Sequence, residues 1–191
     1  MARISLTPPR TVLYRIGEWY SRRTYGTVLD PGKAYAHNSA VLMATTRFEL
    51  RLAKWNKLDP GLKALAVMAS AAMIGCSWCM DFGYWESHER GIDPEKLRNV
   101  PNWRTARGVY TDLERLVMEY AEAMTETVPT VTDEMAECLI GDLGEAAFVE
   151  LTTMIAVENL RSRVNSAFGL VGQGFKDRCE VPAPRPLTTR P

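Results

Sequence analysis

The stretch Gly75-Cys76-Ser77-Trp78-Cys79-Met80-Asp81-Phe82-Gly83 determines how the rest of this chain is interpreted. It follows an almost wholly apolar run, 62–74, and Gly75 predicts the end of that helix and the start of another. Cys76 and Cys79 are three positions apart, so they lie on one face of a helix. Free N–H groups and the positive dipole end of a first helical turn favour thiolate over thiol. The pattern predicts a dithiol that can cycle to a disulfide at the N-terminus of a central helix.

Two other interpretations of the paired cysteines are structural. A zinc site needs four ligands, and the remaining soft ligands occur singly rather than as a second close pair; they are His37, His88, Cys138 and Cys179. The two cysteines could also pack as small apolar core residues. We expect neither a metal nor another cofactor.

Composition describes a chain of ordinary globular type. Its 191 residues are 46% hydrophobic and 24% charged, with 23 basic and 23 acidic side chains, which suits one domain with a sizeable core. There is no run of about 18 apolar residues, which argues against a membrane span, and no motif for nucleic acid. The N-terminal residues lack the apolar segment of a signal peptide. We therefore expect a cytoplasmic protein, a location in which an unreactive structural disulfide is unusual.

The chain divides into three segments. Residues 1–37 are predicted to form a basic amphipathic extension that packs on the body or on a neighbouring subunit. Residues 38–175 are predicted to form the helical domain, and residues 176–191 a proline-rich tail that is disordered. The extension carries apolar residues at helical spacing among arginines; they are Val12, Leu13, Ile16, Trp19 and Tyr20.

Capping signals predict where the helices begin and end. No segment alternates with the period of a strand, so the predicted fold is all-α. Gly26 to Gly32 is predicted to be a loop, and the last long helix is predicted to run from Glu145 to about Val171, ended by Gly172 and Gly174. The other helix starts are marked by Asn38, Asp59-Pro60, Asp93-Pro94, Thr132, and a capping box of Thr111 with Glu114.

The order of these features resembles a known superfamily. The ordered set includes the Gly-Cys-x-x-Cys motif, Gly91, and the stretch Ala156-Val157-Glu158-Asn159-Leu160-Arg161-Ser162-Arg163-Val164-Asn165-Ser166-Ala167-Phe168-Gly169. Over roughly residues 40–175 the chain resembles the carboxymuconolactone decarboxylase and alkylhydroperoxidase D-like superfamily. The resemblance implies an all-helical bundle, a homo-oligomer such as a dimer, trimer or hexamer, and peroxide reduction or electron transfer through the CxxC pair.

The resemblance also implies a role for each cysteine. Cys79 would attack the substrate, a small hydroperoxide or disulfide, and Cys76 would resolve the oxidised sulfur as a disulfide. A thiol reductant, not identified by the sequence, would then restore the dithiol.

Two residues of the superfamily's proton relay are absent. Gly83 stands where the pattern has histidine, and Ala64 stands where it has glutamate. A well-placed general base contributes on the order of 10²–10⁴-fold in rate, so weak or altered activity is expected. Glu86 and His88 are the auxiliary candidates. Glu86 is seven residues after Cys79 on nearly the same helix face. His88 is nine residues after Cys79 on a different face, where it is either a solvent-exposed helix residue or a group that approaches the thiols of a neighbouring subunit.

These observations predict a thiol-disulfide redox protein, with hydroperoxide-reducing antioxidant activity. The alternative is a non-catalytic oligomeric member of the superfamily that acts as a scaffold, redox sensor or partner-binding protein. Lactone decarboxylation is less well supported, since we find no polar constellation that would place a lactone carboxylate.

Overall fold

The computed structural model describes residues 2–179, and within that range all regular structure is helical, as the sequence predicts. Nine α-helices are described, with two short 3₁₀ turns at Val100–Asn102 and Lys176–Arg178. The α-helices are α1 Val12–Tyr25, α2 Asp30–Tyr35, α3 Ser39–Leu52, α4 Pro60–Ile74, α5 Ser77–Glu89, α6 Pro94–Asn99, α7 Asp112–Thr125, α8 Asp133–Leu143 and α9 Glu145–Phe168. None of them has both the length and the apolar composition that crossing a bilayer requires.

Helix α4 is the centre of the bundle because it is apolar on almost every side. It packs against α5, α7 and α9, and a helix with this composition loses water-exposed apolar surface only when neighbours surround it. Its most deeply buried residues include Leu65, Ala66 and Met68, each at most 1% exposed. From α7 and α9 they meet other fully buried side chains; these are Val117, Met118, Ala121, Leu151 and Ile155.

The capping interactions predicted from the sequence are present. The Asp59 side chain accepts hydrogen bonds from the N–H groups of Gly61 and Leu62 at the start of α4. Gly75 ends α4 in the left-handed conformation, with φ of 78°. Thr111 and Glu114 form both bonds of a capping box on α7. These local signals place the ends of the central helices, and with them the start of α5.

Two helix boundaries differ from the sequence prediction. The predicted loop from Gly26 to Gly32 contains the start of α2, where Pro31 occupies the first turn, a position that proline tolerates. Helix α9 ends at Gly169, with φ of 68°, rather than at Gly172. Gly169 is the first glycine that the helix reaches after Phe168, and its left-handed conformation is the usual way to end a helix.

Both ends of the described chain lie against the bundle. Near the N-terminus, Ala2 and Leu6 pack on a small cluster that contains Cys76 and Cys79. Near the C-terminus, residues 176–178 form a 3₁₀ turn that contacts α5, although the sequence assigned them to the tail. Most of the predicted tail, residues 180–191, lies outside the described residues.

Candidate functional site

Cys76 and Cys79 form a disulfide at the start of α5, with their Cα atoms 5.3 Å apart. Cys76 is the N-cap residue rather than part of the first turn, and its Sγ accepts a hydrogen bond of 3.2 Å from the Cys79 N–H. Because Cys79 lies in the first turn, its sulfur is close to the positive end of the helix dipole. The two cysteines are therefore placed to interconvert between dithiol and disulfide.

Both sulfur-bearing residues are nearly sealed from solvent. Cys76 is 2% exposed and Cys79 is 8% exposed. They belong to a small apolar cluster with Ala71, Trp78 and Leu170. A substrate larger than water reaches the disulfide only if part of this cover moves.

The N-terminal strap, which we define as residues 2–7, is part of that cover. The backbone N–H of Arg3 donates to the carbonyl of Phe168 at 2.7 Å. Its guanidinium donates to the carbonyls of Ser166 and Ala167 at 2.7 and 3.0 Å. A cation at the C-terminal end of α9 is electrostatically favoured there, so Arg3 ties the strap across the dithiol cluster. His37, one of the soft ligands that occur singly in the sequence, lies with Nε2 2.8 Å from the Ser5 carbonyl oxygen.

Three polar residues of α9 line the other side of Cys79. The Ser162 hydroxyl oxygen lies 3.3 Å from Cys79 Sγ and 2.6 Å from Oε1 of Glu158. The Asn165 side-chain amide donates to the same sulfur at 3.4 Å. The spacing of i, i+4 and i+7 puts all three on one helix face. A polar chain therefore runs from Cys79 through Ser162 to Glu158.

Glu158 is a buried carboxyl group at the end of this chain. It is 3% exposed, and burial raises its pKa to about 7, although the nearby Arg161 charge and the Ser162 hydrogen bond oppose the increase. Arg161 Nη1 lies 3.5 Å from Glu158 Oε2. Arg161 also forms a two-point ion pair with Glu49 of α3, so it is shared between two carboxyl groups and neutralises Glu158 incompletely.

The auxiliary candidates from the sequence lie elsewhere on α5. Glu86 is paired with Arg90 at 2.8 Å and is near enough to contribute to the raised pKa of Arg161. His88 stacks on Tyr84 with an interplanar angle of 13°. Neither has a described hydrogen bond to the dithiol.

The two positions of the missing relay have ordinary packing roles. A Cβ atom on Gly83 would lie 3.6 Å from Cγ of Met68, and Met68 is 1% exposed in the core. That distance is an ordinary van der Waals contact, so position 83 faces Met68 of α4 and has room for a Cβ atom. Ala64 is a half-buried residue of α4.

Asp81 and Gln173 connect the dithiol helix to the C-terminal segment. The Asp81 carboxylate accepts backbone N–H groups of Gln173, Phe175 and Lys176 at 2.7, 3.1 and 2.9 Å. The Gln173 side-chain oxygen accepts from the Trp78 indole N–H at 2.9 Å. Asp81 therefore holds the C-terminal segment beside the site.

Among the described residues, one further group brings three ligand-type atoms within 4.8 Å of one another: His88, Glu89 and Cys179. It is partly exposed at the surface, and three ligands fall short of the four that a structural zinc site uses. The dithiol itself has no comparable set of metal-ligating side chains among the described residues.

Glu158, Ser162 and Glu49 are not among the site residues predicted from the sequence. Glu158 and Ser162 are in the stretch 156–169 that carries the family resemblance, so the signal was available. The signal for this site is that polar residues recur at positions 158, 162 and 165 of a helix that contacts several other helices. A polar stripe of this kind is buried only if the helix has neighbours on that side, which sequence spacing alone does not indicate.

Comparisons with known proteins agree with the fold. Residues 40–130 match the carboxymuconolactone decarboxylase family. The chain is 34% identical over 175 residues to YnjA of Escherichia coli (strain K12), an uncharacterized protein, covering 91% of this chain and 94% of YnjA.

Solved structures are similar at lower sequence identity. A peroxidase-related protein from Silicibacter sp. TM1040 has a TM-score of 0.79 at 17% identity, covering 91% of this chain and 92% of its own. An alkylhydroperoxidase core protein from Ralstonia eutropha JMP134 has a TM-score of 0.79 at 18% identity, covering 93% and 97%. A debrominase, solved as a cysteine-to-alanine variant with 2,3,4-tribromopyrrole, has a TM-score of 0.78 at 15% identity, covering 94% and 97%.

Proposed function

The chain belongs to the carboxymuconolactone decarboxylase family, and from that premise we propose that it is a thiol-disulfide oxidoreductase that reduces small hydroperoxides. The observation that carries the proposal is the Cys76–Cys79 disulfide at the start of a buried helix. Further support comes from the fold that it shares with proteins described as peroxidase-related and as an alkylhydroperoxidase core.

The proposed reaction uses each cysteine once. The Cys79 thiolate attacks the terminal oxygen of the hydroperoxide, the O–O bond breaks, and the sulfur is oxidised to a sulfenic acid while the leaving alkoxide takes a proton. The Cys76 thiol then attacks the Cys79 sulfur, which forms the disulfide and releases water. Two equivalents of an external thiol reduce the disulfide and restore both thiols.

The burial of the dithiol favours small substrates. With Cys76 at 2% and Cys79 at 8% exposure, a protein disulfide cannot reach the sulfurs without displacement of the strap or of neighbouring side chains. A hydroperoxide with a small organic group needs much less displacement. We therefore place alkyl hydroperoxides ahead of protein disulfides as the oxidant.

A homo-oligomeric state is part of the proposal. Its support is the apolar stripe of α1, where Val12, Ile16 and Trp19 are 74%, 61% and 64% exposed. The same stripe is the observation that favours the alternative function, in which the chain is a non-catalytic oligomeric scaffold.

Peroxide consumption tests the proposed function directly. Purified, reduced protein is mixed with tert-butyl hydroperoxide and dithiothreitol, and peroxide loss is followed for the wild type, Cys79→Ser and Cys76→Ser. We expect Cys79→Ser to lose turnover, because no sulfenic acid can form at that position. The matched control is Cys138→Ser, which removes an exposed free cysteine and should leave turnover unchanged. Turnover that survives Cys79→Ser would exclude the proposed function, whereas a wild type that consumes no peroxide would favour the non-catalytic scaffold.

A further inference from the structure

We propose that Glu158, acting through the Ser162 hydroxyl, exchanges protons with Cys79 in place of the absent histidine and glutamate of the superfamily relay. Cys79 lies 3.3 Å from the Ser162 oxygen, and that oxygen lies 2.6 Å from Glu158. The inference rests on the proposed redox function and assigns a group to its proton-transfer step. Ser162 touches the reacting sulfur, whereas Glu158 is a positioning residue that acts through Ser162.

Burial makes this chain the available proton path. Ser162 is 0% exposed and Glu158 is 3% exposed, so bulk water does not reach the groups between Cys79 and the carboxyl. A buried polar group without a partner costs about 1–3 kcal/mol. Each polar group on the path from Cys79 to Glu158 has a hydrogen-bond or ion-pair partner. Ser162 contacts both Cys79 and Glu158, and Arg161 contacts the other carboxyl oxygen of Glu158.

A serine hydroxyl can pass a proton because it has one donor and two acceptor positions. With Glu158 ionised, the Ser162 O–H donates to the carboxylate. With Glu158 protonated, its O–H donates to the Ser162 oxygen, and the Ser162 O–H turns to Cys79. In that second arrangement a Cys79 thiolate accepts hydrogen bonds from Ser162 and from the Asn165 amide.

The charges around Glu158 keep its acidity close to that of a thiol. Arg161 lies on the same helix, Glu49 faces it from α3, and Glu86 on α5 acts on Arg161. Because burial dominates over these charges, the pKa of Glu158 is raised to about 7, against roughly 8.5 for an unperturbed cysteine. A proton acceptor matched in this way to its donor is the most efficient general base near neutral pH.

The proton balance follows the proposed reaction. As Cys79 loses its proton to the Ser162 oxygen, Ser162 gives its own proton to the Glu158 carboxylate, and the thiolate forms. The thiolate attacks the hydroperoxide, and the alkoxide that leaves when the O–O bond breaks takes the proton back from Glu158 through Ser162. The products are a Cys79 sulfenic acid, an alcohol and ionised Glu158, so Ser162 and Glu158 return to their starting protonation states.

The test measures the reactivity of Cys79 against pH without using turnover. Cys76→Ser provides the background, so that the tryptic peptide with Cys79 carries one thiol. In the full-length chain, Ser162→Ala and Glu158→Gln are compared with that background. The rate of iodoacetamide labelling of Cys79 is followed by mass spectrometry from pH 5 to pH 10. Ser162→Ala is a mild change, because alanine is the best helix former. If Glu158→Gln does not fold, the labelling profile of Ser162→Ala alone tests the proton path.

Two control variants remove similar groups away from Cys79. Ser70→Ala deletes another fully buried helix serine, whose hydroxyl donates to the Ala66 carbonyl at 3.1 Å. Glu122→Gln neutralises a carboxylate that is likewise bonded to one neutral donor and one arginine, namely Trp103 and Arg104. Both should keep the labelling profile of the background protein.

We expect Ser162→Ala, which removes a hydrogen-bond donor to the thiolate, to move the midpoint of the profile to higher pH and to slow labelling at pH 7 on the order of tenfold, the equivalent of one pKa unit. Glu158→Gln removes a nearby negative charge and keeps a neutral partner for Ser162, so it should move the midpoint to lower pH. A midpoint unchanged in both variants, with native helix content, would overturn the proton path. The outcome is separable from that of the proposed function. If Cys79→Ser loses peroxide turnover and the labelling profiles of Ser162→Ala and Glu158→Gln stay unchanged, the proton path is rejected and the proposed redox function is retained.

Discussion

At the scale of single residues, two buried glutamates of α9 differ in the direction of their pKa shifts. Glu150 is buried, which would raise its pKa, yet Lys63 and the N–H of Lys57 hold that pKa below its ordinary value. Glu158 shares the nearby cation Arg161 with Glu49, and burial raises the pKa of Glu158 to about 7. Glu150 is therefore ionised and serves as a structural partner of Lys63. Glu158 changes charge within the pH range in which thiols react.

The raised pKa of Glu158 makes stability depend on pH. In the folded state Glu158 binds its proton up to about pH 7, whereas the ordinary pKa of a glutamate is 4.5. Between these values the folded state holds more protons than the unfolded one, so stability falls as pH rises from about 4.5 through 7 and is level above. The shift corresponds to about 3 kcal/mol.

Urea unfolding of the oxidised protein from pH 4.5 to 8 measures this effect. We expect wild type to lose stability over the interval relative to Glu158→Gln, in which the group does not titrate. Parallel curves for the two proteins would mean that Glu158 titrates normally in the folded state.

At the scale of elements, the sequence predicted what depends on local interactions. The caps at Asp59, Thr111 and Asn38 are present because each side chain accepts from backbone N–H groups only two or three residues further along the chain. The position of the dithiol at the start of α5 follows from the same rules. The polar face of α9 was not predicted, because its burial depends on which helices pack against it.

The strap could not be predicted either, since it depends on contacts between residues far apart in sequence. Arg3 meets Ser166 and Ala167 across more than 160 positions, and no periodic pattern marks the first ten residues. Their position over the dithiol is a property of the folded bundle.

Removal of the Arg3 anchor should increase access to the disulfide. Arg3→Ala deletes two charge-assisted hydrogen bonds that are exposed to solvent. Together they stabilise the closed position of the strap by on the order of 1 kcal/mol. Their loss should therefore increase the fraction of molecules with an open strap about fivefold. We expect the disulfide to be reduced by dithiothreitol about fivefold faster, as followed by thiol appearance. Arg10→Ala, which removes an exposed ion pair with Glu18 on α1, is the control. Equal reduction rates in Arg3→Ala and wild type would show that the strap does not limit access.

At the scale of the whole molecule, α1 has an apolar stripe that the described chain leaves uncovered. Its C-terminal end is anchored, because Tyr25 contacts Phe82 and Trp85 of α5. The stripe itself, at positions 12, 16, 19 and 20, has the spacing of one helix face. Contiguous exposed apolar surface of this kind marks an interaction site.

A charge placed in this stripe should weaken self-association without unfolding the chain. Ile16 is 61% exposed, so Ile16→Glu should change the free energy of unfolding by no more than about 0.5 kcal/mol, while a buried charge at an interface is strongly disfavoured. Light scattering coupled to size exclusion measures the mass of each variant. Val149→Glu introduces the same charge at another exposed apolar residue, 62% exposed on α9. An unchanged mass for Ile16→Glu would exclude α1 as the self-association surface.

Both ends of the described chain meet at the dithiol. Ala2 and Leu6 pack on its apolar cluster, and Gln173, three residues before the last 3₁₀ turn, bonds to Trp78 within the CxxC motif. An affinity tag or fusion partner attached ahead of residue 2 would therefore lie beside the sulfurs. There it could displace the strap from the disulfide or exclude substrate from it. Rates of disulfide reduction and of peroxide consumption should be compared between tagged and cleaved preparations before they are assigned to the native protein.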